Sequence, residues 1–481
     1  MVSPDLETDP EAGYLAPGRR FDMDPTYTLA KNLLDTTYER IPSEVVKVTK
    51  IEILDSLGVA LAGSTGPGVQ ELFKLLKSYG GKRQSSVIAG NTKLPVFHAA
   101  QVNATMTHAL DFDDSLLRVA IHPGCIVVPT CLAMAEHVGK ISGKECIAAI
   151  ALGADLMTRL GLATKYPRGL RVVGWHFTPL YGVFAAAGIA GKLLGLTQEK
   201  MVDALGLAYQ QAAGNLQVVV DGALAKRMGP GMATRDGIMA ALMAKAGITG
   251  AKNCIEGEKG LYRLYHNGGY DRQALLQDLG EKFEGWDLTI KPYPCCRITH
   301  ACLEATLDLV KQHHITPEQV EEITVYGGEA EYTMMCTPLE IKRKPRNCVD
   351  SIASIPWTVA TAIVNRGVSM SDFTEEAIKN EKVLKIAEKI NAELDPDLIR
   401  DGPEPGRVKI VTSDRTYTKQ VDYAYGDPKN PLAFDAVLSK FYDCASCSIK
   451  PISKENIHHL AESVQKLEEL DDVAEIMKLI G

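Results

Sequence analysis

Through most of the first 290 positions apolar residues recur at three- and four-residue intervals, the spacing of helices with one buried face. The pattern opens over Thr26 to Tyr38 and resumes over Ser43 to Ala62, where Ser43 is suited to cap the start and Gly63 stands just past the end. A third helix is predicted over Gly68 to Ser78, a short extended piece over Ser85 to Gly90, and a fourth helix from Pro95 through FHAAQVNATMTHAL. Further helices follow over Ile126 to His137, Gly143 to Leu160 and Gly182 to Leu194, and from a Thr197 cap to about Ala213. Several of these are rich in Ala and Gly and apolar on more than one face, which places them inside an all-helical layer.

The texture changes near Trp286. Val320 to Gly328, Gly406 to Asp414 and Arg415 to Ala424 alternate apolar and polar side chains, as half-buried strands do, and the last two read as a hairpin turning at Ser413-Asp414. Helical segments at Thr299 to His313 and Ser351 to Arg366 lie between them. The expected fold class is mainly α: a large all-helical domain plus a smaller α+β lid domain. Residues 1–24 are expected to form a flexible arm, 25–290 the first part of the helical domain, 291–426 the lid, and 427–481 an amphipathic return to the helical domain.

Composition narrows the function classes. The chain has 481 residues, 52 basic against 60 acidic side chains and a net charge of -8, which argues against nucleic-acid binding. Its longest uncharged run, Val172 to Gly191, has membrane-spanning length, yet it contains Trp175, His176, Pro179 and four glycines and reads as a buried loop and core helix. No membrane association is expected, and the acidic, proline-bearing first twelve residues carry no visible signal peptide, so a cytoplasmic location is the default. Eleven cysteines without paired metal-ligand spacing read as reduced, mostly buried thiols.

Candidate chemistry gathers in THALDFDDSLLRVAIHP, Thr107 to Pro123, which holds His108, Asp111, Asp113, Asp114, Ser115 and His122 in one window. If the helix runs past Leu110, then His108, Asp111 and Ser115 share a face, and His122, before Pro123, folds back over the helix end. The plainer alternative makes Asp113 and Asp114 solvated end residues and His108 a core histidine. Elsewhere, His176 stands in the largely uncharged loop Gly174-Trp-His-Phe-Thr-Pro179, and Lys226-Arg227 lie beside glycines at a helix start, where a carboxylate or phosphate is suited. Lys291-Pro-Tyr-Pro-Cys-Cys-Arg297-Ile-Thr-His300 falls at the expected domain junction, where Arg297 and His300 could cap a cleft; the basic run Lys342, Arg343, Lys344 and Arg346 reads as solvated.

These segments resemble the MmgE/PrpD family. The resemblance covers almost everything after residue 25 and rests on LDSLGVALAG (54–63), AAQVNATMTHALDFDDS (99–115) with HPG at His122, GWHFTPLYGVFAAAGIAGKLLGLT (174–197), KPYPCCRITHA (291–301) and DSIASIPWTVA (350–360). It implies the helical-plus-lid fold, a homodimer, a small carboxylate substrate bound between the domains, and no metal or organic cofactor. It also carries pocket residues onto Asp111, Ser115, His122, His176, Lys226 and His300, with a lid tyrosine at Tyr332. Three positions depart from the family: Ser115 stands in place of threonine, and Leu116 and Gly229 in place of common histidines.

The leading expectation is a cofactor-independent lyase acting on a small di- or tricarboxylate by proton transfer next to a carboxylate, with 2-methylcitrate dehydration first among the reactions and cis-aconitate decarboxylation or iminodisuccinate epimerisation as alternatives. In this scheme His122 transfers the proton and Asp111 orients an imidazole. Lys226 holds developing charge, His176 protonates the leaving group or binds a carboxylate, and Ser115, Arg297, His300 and Tyr332 bind substrate. Competing readings are a non-catalytic carboxylate-binding protein, a magnesium phosphatase built on Asp111-Phe-Asp113-Asp114-Ser115, and a magnesium-dependent prenyl-diphosphate lyase.

Overall fold

A computed structural model describes residues 23–165, 174–400 and 405–481. Nearly all of the expected N-terminal arm lies outside these residues. Asp24, assigned to that arm, is instead buried: it accepts from Thr26 N at 2.9 Å to cap helix Pro25–Asp35, and from Glu256 N at 2.8 Å.

The protein is mainly α-helical, with one small mixed sheet in its C-terminal half. Helices Ser43–Gly63, Val96–His108, Gly124–Val138, Gly143–Leu162, Phe177–Leu193 and Ala225–Lys245 pack into one hydrophobic core, which Val437, Phe441, Leu460 and Met477 from the end of the chain also enter. Small residues allow this density. A Cβ on Gly63 would lie 1.9 Å from Met106 O, so the first two of these helices cross at near backbone contact. That crossing explains why Gly63 belongs to the helix rather than following it. Ser43 is likewise the first helical residue, with Pro42 in the capping position.

A second core, from Cys295 to Ala424, belongs to the smaller domain. After a two-residue ladder in the first domain, β1 (Ser85–Ser86) with β2 (Lys93–Leu94), the sheet comprises β3 (Val320–Gly327), β4 (Ile390–Leu394), β5 (Gly406–Thr412) and β6 (Thr416–Val421) in the order β4-β3-β5-β6. β5 and β6 form the expected hairpin, with Gly406 opposite Val421, and β3 pairs antiparallel with β5 and parallel with β4. Helix His300–His313 packs against β5 and β6 and against Ile355–Asn365. The single helix expected over 351–366 is two, Cys348–Ile352 and Ile355–Asn365, because Pro356 fits only a helix's first turn.

Nine of the eleven cysteines are buried and all are free; Cys296 is partly buried and Cys447 exposed. Among the described residues no helix is long and apolar enough to cross a membrane. The Gly63 crossing yields a stability test. Gly63→Ala is expected to cost about 1–3 kcal/mol or more by overpacking against Met106, lowering the thermal midpoint by several degrees. Gly367→Ala, with nothing within 4 Å of the added Cβ, should melt like the parent.

Candidate functional site

The acidic window does not extend the helix. Val96–His108 stops at His108 and the chain reverses at Asp111, whose φ of 52° is a left-handed conformation that aspartate tolerates better than most residues. His108, Asp111 and Ser115 therefore do not lie on one helical face. The strand-like return is fixed by Ser115 N donating to Thr289 O at 2.9 Å and Thr289 N donating to Ser115 O at 2.8 Å. Helix Gly124–Val138 then begins directly after His122-Pro123. Far from being solvated, Asp113, Asp114 and His108 are fully buried beneath this loop.

Two clusters result. In the first, Lys226 Nζ donates to Asp111 Oδ2, while Lys291 Nζ donates to Asp111 Oδ1 at 2.5 Å and to Asp111 O at 2.7 Å. Burial would raise the Asp111 pKa, but the two ammonium groups outweigh it and hold the carboxyl well below its usual range. Burial likewise works against the Lys291 charge, and Asp111 and Asp113 more than restore it.

The second cluster is imidazole-rich. His108 Nδ1 donates to Asp113 Oδ2 at 2.8 Å, and His122 Nδ1 donates to Asp114 O at 2.7 Å and lies 3.5 Å from Asp113 Oδ2. A carbonyl or ionised carboxylate can only accept, so these contacts assign the proton of both neutral rings to Nδ1 and leave Nε2 as the lone-pair nitrogen. The His108 and His122 ring centroids are 4.9 Å apart and those of His108 and His176 are 6.1 Å apart. Burial dominates the titration of all three, pushing His122 down to about 3 and His176 well below its ordinary value, while His108 is lowered against the opposing pull of Asp113. His122, expected to transfer the proton, is therefore held neutral by its burial.

Behind these groups lies a carboxylate layer. Asp114 accepts from Gly124 N at 3.0 Å, and burial together with neighbouring carboxylates raises both Asp114 and Glu52 well above the usual range. Lys440, from the C-terminal return, forms an ion pair with Asp55 at 2.6 Å and donates to Phe112 O at 2.8 Å, bracing the loop from below.

A cavity of about 30 Å³ opens onto Asp111 and Lys226 of the first cluster and His108 of the second. His108, Asp111, Lys226 and Arg227 line it from the helical domain, and Val349, Ile352 and Ala353 from the smaller one. That is space for about one water molecule, so anything larger enters only if the walls part. Arg227 already links the two, donating to Pro67 O and to Cys348 Sγ, each at 3.3 Å. A larger cavity of about 160 Å³ beyond the Ser115–Thr289 bridge is lined by Leu116, Arg118, Asp287 and Tyr423 and carries none of the three histidines.

The other expected residues are more dispersed. Ser115 Oγ is buried without a hydrogen-bond partner among the described residues. His300 is buried, its Nε2 donating to Cys295 O at 3.3 Å and its ring edge-on to Tyr293. Arg297 turns to Ala424 O at 3.3 Å and Asp427 at 3.5 Å. Tyr332 packs on the smaller core within Glu331–Cys336. Ser115, His122, His176, Arg297, His300 and Tyr332 do not line the 30 Å³ cavity, and neither does Lys291. Lys291 is not among the expected site residues; the available signal is a cation opening the proline-stiffened segment that also carries Arg297 and His300. Gly229 leaves open space, since an added Cβ would meet Pro179 at 3.5 Å and His176 Nδ1 at 3.6 Å, both ordinary contacts.

Two sets of side chains have ligand atoms close enough to share a metal ion, His108-Asp113-Cys125 and Asp111-Asp113-His122. Their chemistry fits a divalent ion poorly. Lysine ammonium groups occupy both oxygens of Asp111, and Cys125 is a neutral thiol, pushed well up by burial, that donates to His122 O at 3.2 Å.

The neutral histidines make stability pH-dependent. Below about pH 6.5 the unfolded chain binds a proton at His122 that the folded site refuses down to about pH 3, so this contribution is complete above pH 6.5 and is lost as pH falls. Lowering pH from 7 to 5 should cost about 1–2 kcal/mol at this residue, and His122→Gln should show a correspondingly shallower fall in thermal midpoint over that interval.

Residues 27–273 match the model of the MmgE/PrpD N-terminal domain, and residues 293–466 that of the MmgE/PrpD C-terminal domain. The chain is 27% identical over 462 residues to a cis-aconitate decarboxylase of Aspergillus terreus, covering 92% of each. It is 25% identical over 452 residues to the cis-aconitate decarboxylase of Mus musculus, covering 91% of this chain and 89% of the relative. Identity to the 2-methylcitrate dehydratase of Escherichia coli K12 is 23% over 384 residues, covering 75% and 76%. With both domain models matched in order along one chain, this protein belongs to the MmgE/PrpD family.

Proposed function

We propose that the protein is a lyase that moves a proton next to a carboxylate of a small di- or tricarboxylic acid, using its own side chains and no metal or organic cofactor. One observation carries this reading: two ammonium groups, the fully buried Lys291 and the partly buried Lys226, share a single carboxylate, Asp111, directly beside neutral imidazoles. A substrate carboxylate that takes over one of those ammonium groups is held by charge-assisted hydrogen bonds, and its negative charge raises the pKa of His122 and His108. Binding thus turns poor bases into competent proton carriers at neutral pH. Lys226 and Lys291 then hold the charge that develops on the carboxylate during proton removal or loss of carbon dioxide.

In dehydration, His122 Nε2 removes the proton next to the carboxylate and a protonated imidazole, His176 being the nearest further candidate, assists the departing hydroxyl. In decarboxylation, the same imidazolium delivers a proton to carbon as carbon dioxide leaves. The longer match to the cis-aconitate decarboxylases supports testing decarboxylation first, ahead of dehydration. The space at Gly229 beside His176 supports a substrate contour different from that of relatives with a larger residue there. The protein is further proposed to be cytoplasmic and homodimeric.

Proton NMR in D2O with EDTA-treated protein and a panel of cis-aconitate, 2-methylcitrate, citrate and iminodisuccinate tests the proposal. Loss of carbon dioxide or of water is expected, undiminished by EDTA. His122→Ala and Lys291→Met are each expected to lower kcat/KM by about 100-fold or more. Turnover that needs an added divalent ion, or a loss of less than about tenfold in His122→Ala, would contradict it.

A further inference from the structure

Of the three clustered histidines only His108 lines the 30 Å³ cavity, together with Asp111 and Lys226 of the helical domain and Val349, Ile352 and Ala353 of the smaller one. It is fully buried and is the last residue of helix Val96–His108, where the carbonyl end of the helix favours a cation. Its Nδ1 donates to Asp113 Oδ2 at 2.8 Å, and its Nε2 has no hydrogen-bond partner among the described residues. A buried ring nitrogen left unsatisfied in a cavity wall is a cost to folding, and a group that enters the cavity removes it.

The three rings differ in what stands behind them. His108 has the Asp113 carboxylate in direct contact, whereas His122 Nδ1 rests on the Asp114 carbonyl and lies 3.5 Å from Asp113. His176 forms no ion pair among the described residues. The other charged or titratable groups around the His108 ring are Asp111 with the Lys226 and Lys291 ammonium groups it already answers, the rings of His122 and His176, and the neutral thiol of Cys125. Asp113 is therefore the carboxylate that answers a charge on His108. An aspartate on Nδ1 fixes the tautomer and steadies the imidazolium. Burial lowers the His108 pKa and Asp113 opposes it; an anion in the cavity would pull the same way as Asp113.

We propose that His108 is the general acid of the reaction, delivering a proton from Nε2 to the group that departs or to the carbon left behind, with Asp113 as its positioning residue. This rests on the proton-transfer reading above and moves the acid from His176, the further candidate there, to His108. In dehydration His122 Nε2 takes the proton, the C–H electron pair becomes the new double bond, and the C–O bond breaks. The oxygen leaves with that bond's electron pair and the His108 proton, as water. In decarboxylation the electron pair of the broken C–C bond forms a C–H bond with the same proton. Either way His108 ends neutral and regains a proton from water when the next anion binds.

Turnover of cis-aconitate, 2-methylcitrate, citrate and iminodisuccinate by the full chain, followed by proton NMR across a range of pH, tests the assignment. His108→Gln is expected to lower kcat by about 100-fold or more while KM changes by less than about threefold. The exposed control His459→Gln should match the parent. Asp113→Asn keeps an oxygen for the His108 Nδ1 proton and removes only the charge, so the acid loses its proton sooner as pH rises. The alkaline fall of kcat should therefore move down by about one pH unit or more, a readout that stands even where His108→Gln does not fold. A folded His108→Gln protein that keeps more than about a tenth of the parent kcat would overturn the assignment and leave the proposed function standing. An alkaline limb that Asp113→Asn leaves in place would do the same. A parent protein that turns over none of the four acids would overturn the proposed function, and this assignment with it.

Discussion

The clamp on Asp111 is the interaction on which the rest of the site depends. It joins three distant pieces of chain: the reversal after helix Val96–His108, the first turn of Ala225–Lys245, and Lys291 at the junction of the two domains. Removing Asp111 would leave the buried Lys291 charge without this carboxylate, which is far more costly than the pair is stabilising. The clamp also fixes the shape of the loop. Lys291 grips the Asp111 backbone carbonyl as well as the carboxylate, holding the left-handed turn that carries Asp113 beneath His108 and His122.

Below the clamp the protein accumulates charge that a stable core does not need. Asp55, Asp113, Asp114 and Glu52 are all buried, and Lys440 offsets only part of their repulsion. The protein accommodates them by separating their ionisation. Asp111 and Asp113 lie beside cations and ring N–H donors and are held ionised, whereas Asp114 and Glu52 are pushed toward the protonated form by burial and by one another. Titratable neighbours driven apart in this way are an arrangement suited to moving protons.

Much of this was legible from residue order, and what was missed has definite physical causes. Alternation of side chains revealed the β5–β6 hairpin and β3, but β4, INAEL, is a short edge strand with one buried residue and carries almost no periodic signal. The density of acid and imidazole groups in residues 107–123 pointed to the site, whereas its geometry did not follow from helical spacing, because a single positive φ at Asp111 redirects the chain. Lys291 and Asp111 are 180 residues apart, and their pairing exists only in the folded chain, where the Ser115–Thr289 bridge brings the two segments together. The run 342–346 misled for the opposite reason. Clustered cations usually mean a solvated face, yet here three of the four are drawn back onto the protein by carbonyl or carboxylate partners.

The central claim is that a cation pair beside neutral imidazoles waits for a polycarboxylate whose charge will protonate one of them and leave another as the base. Proton uptake on binding measures this directly. Calorimetry of tricarballylate binding at pH 7, repeated in buffers of different ionisation enthalpy, reports the number of protons taken up per site. The account predicts uptake of roughly one proton, because histidines held neutral by burial gain a proton when a polyanion enters. Binding with no proton uptake, or with release, would contradict it.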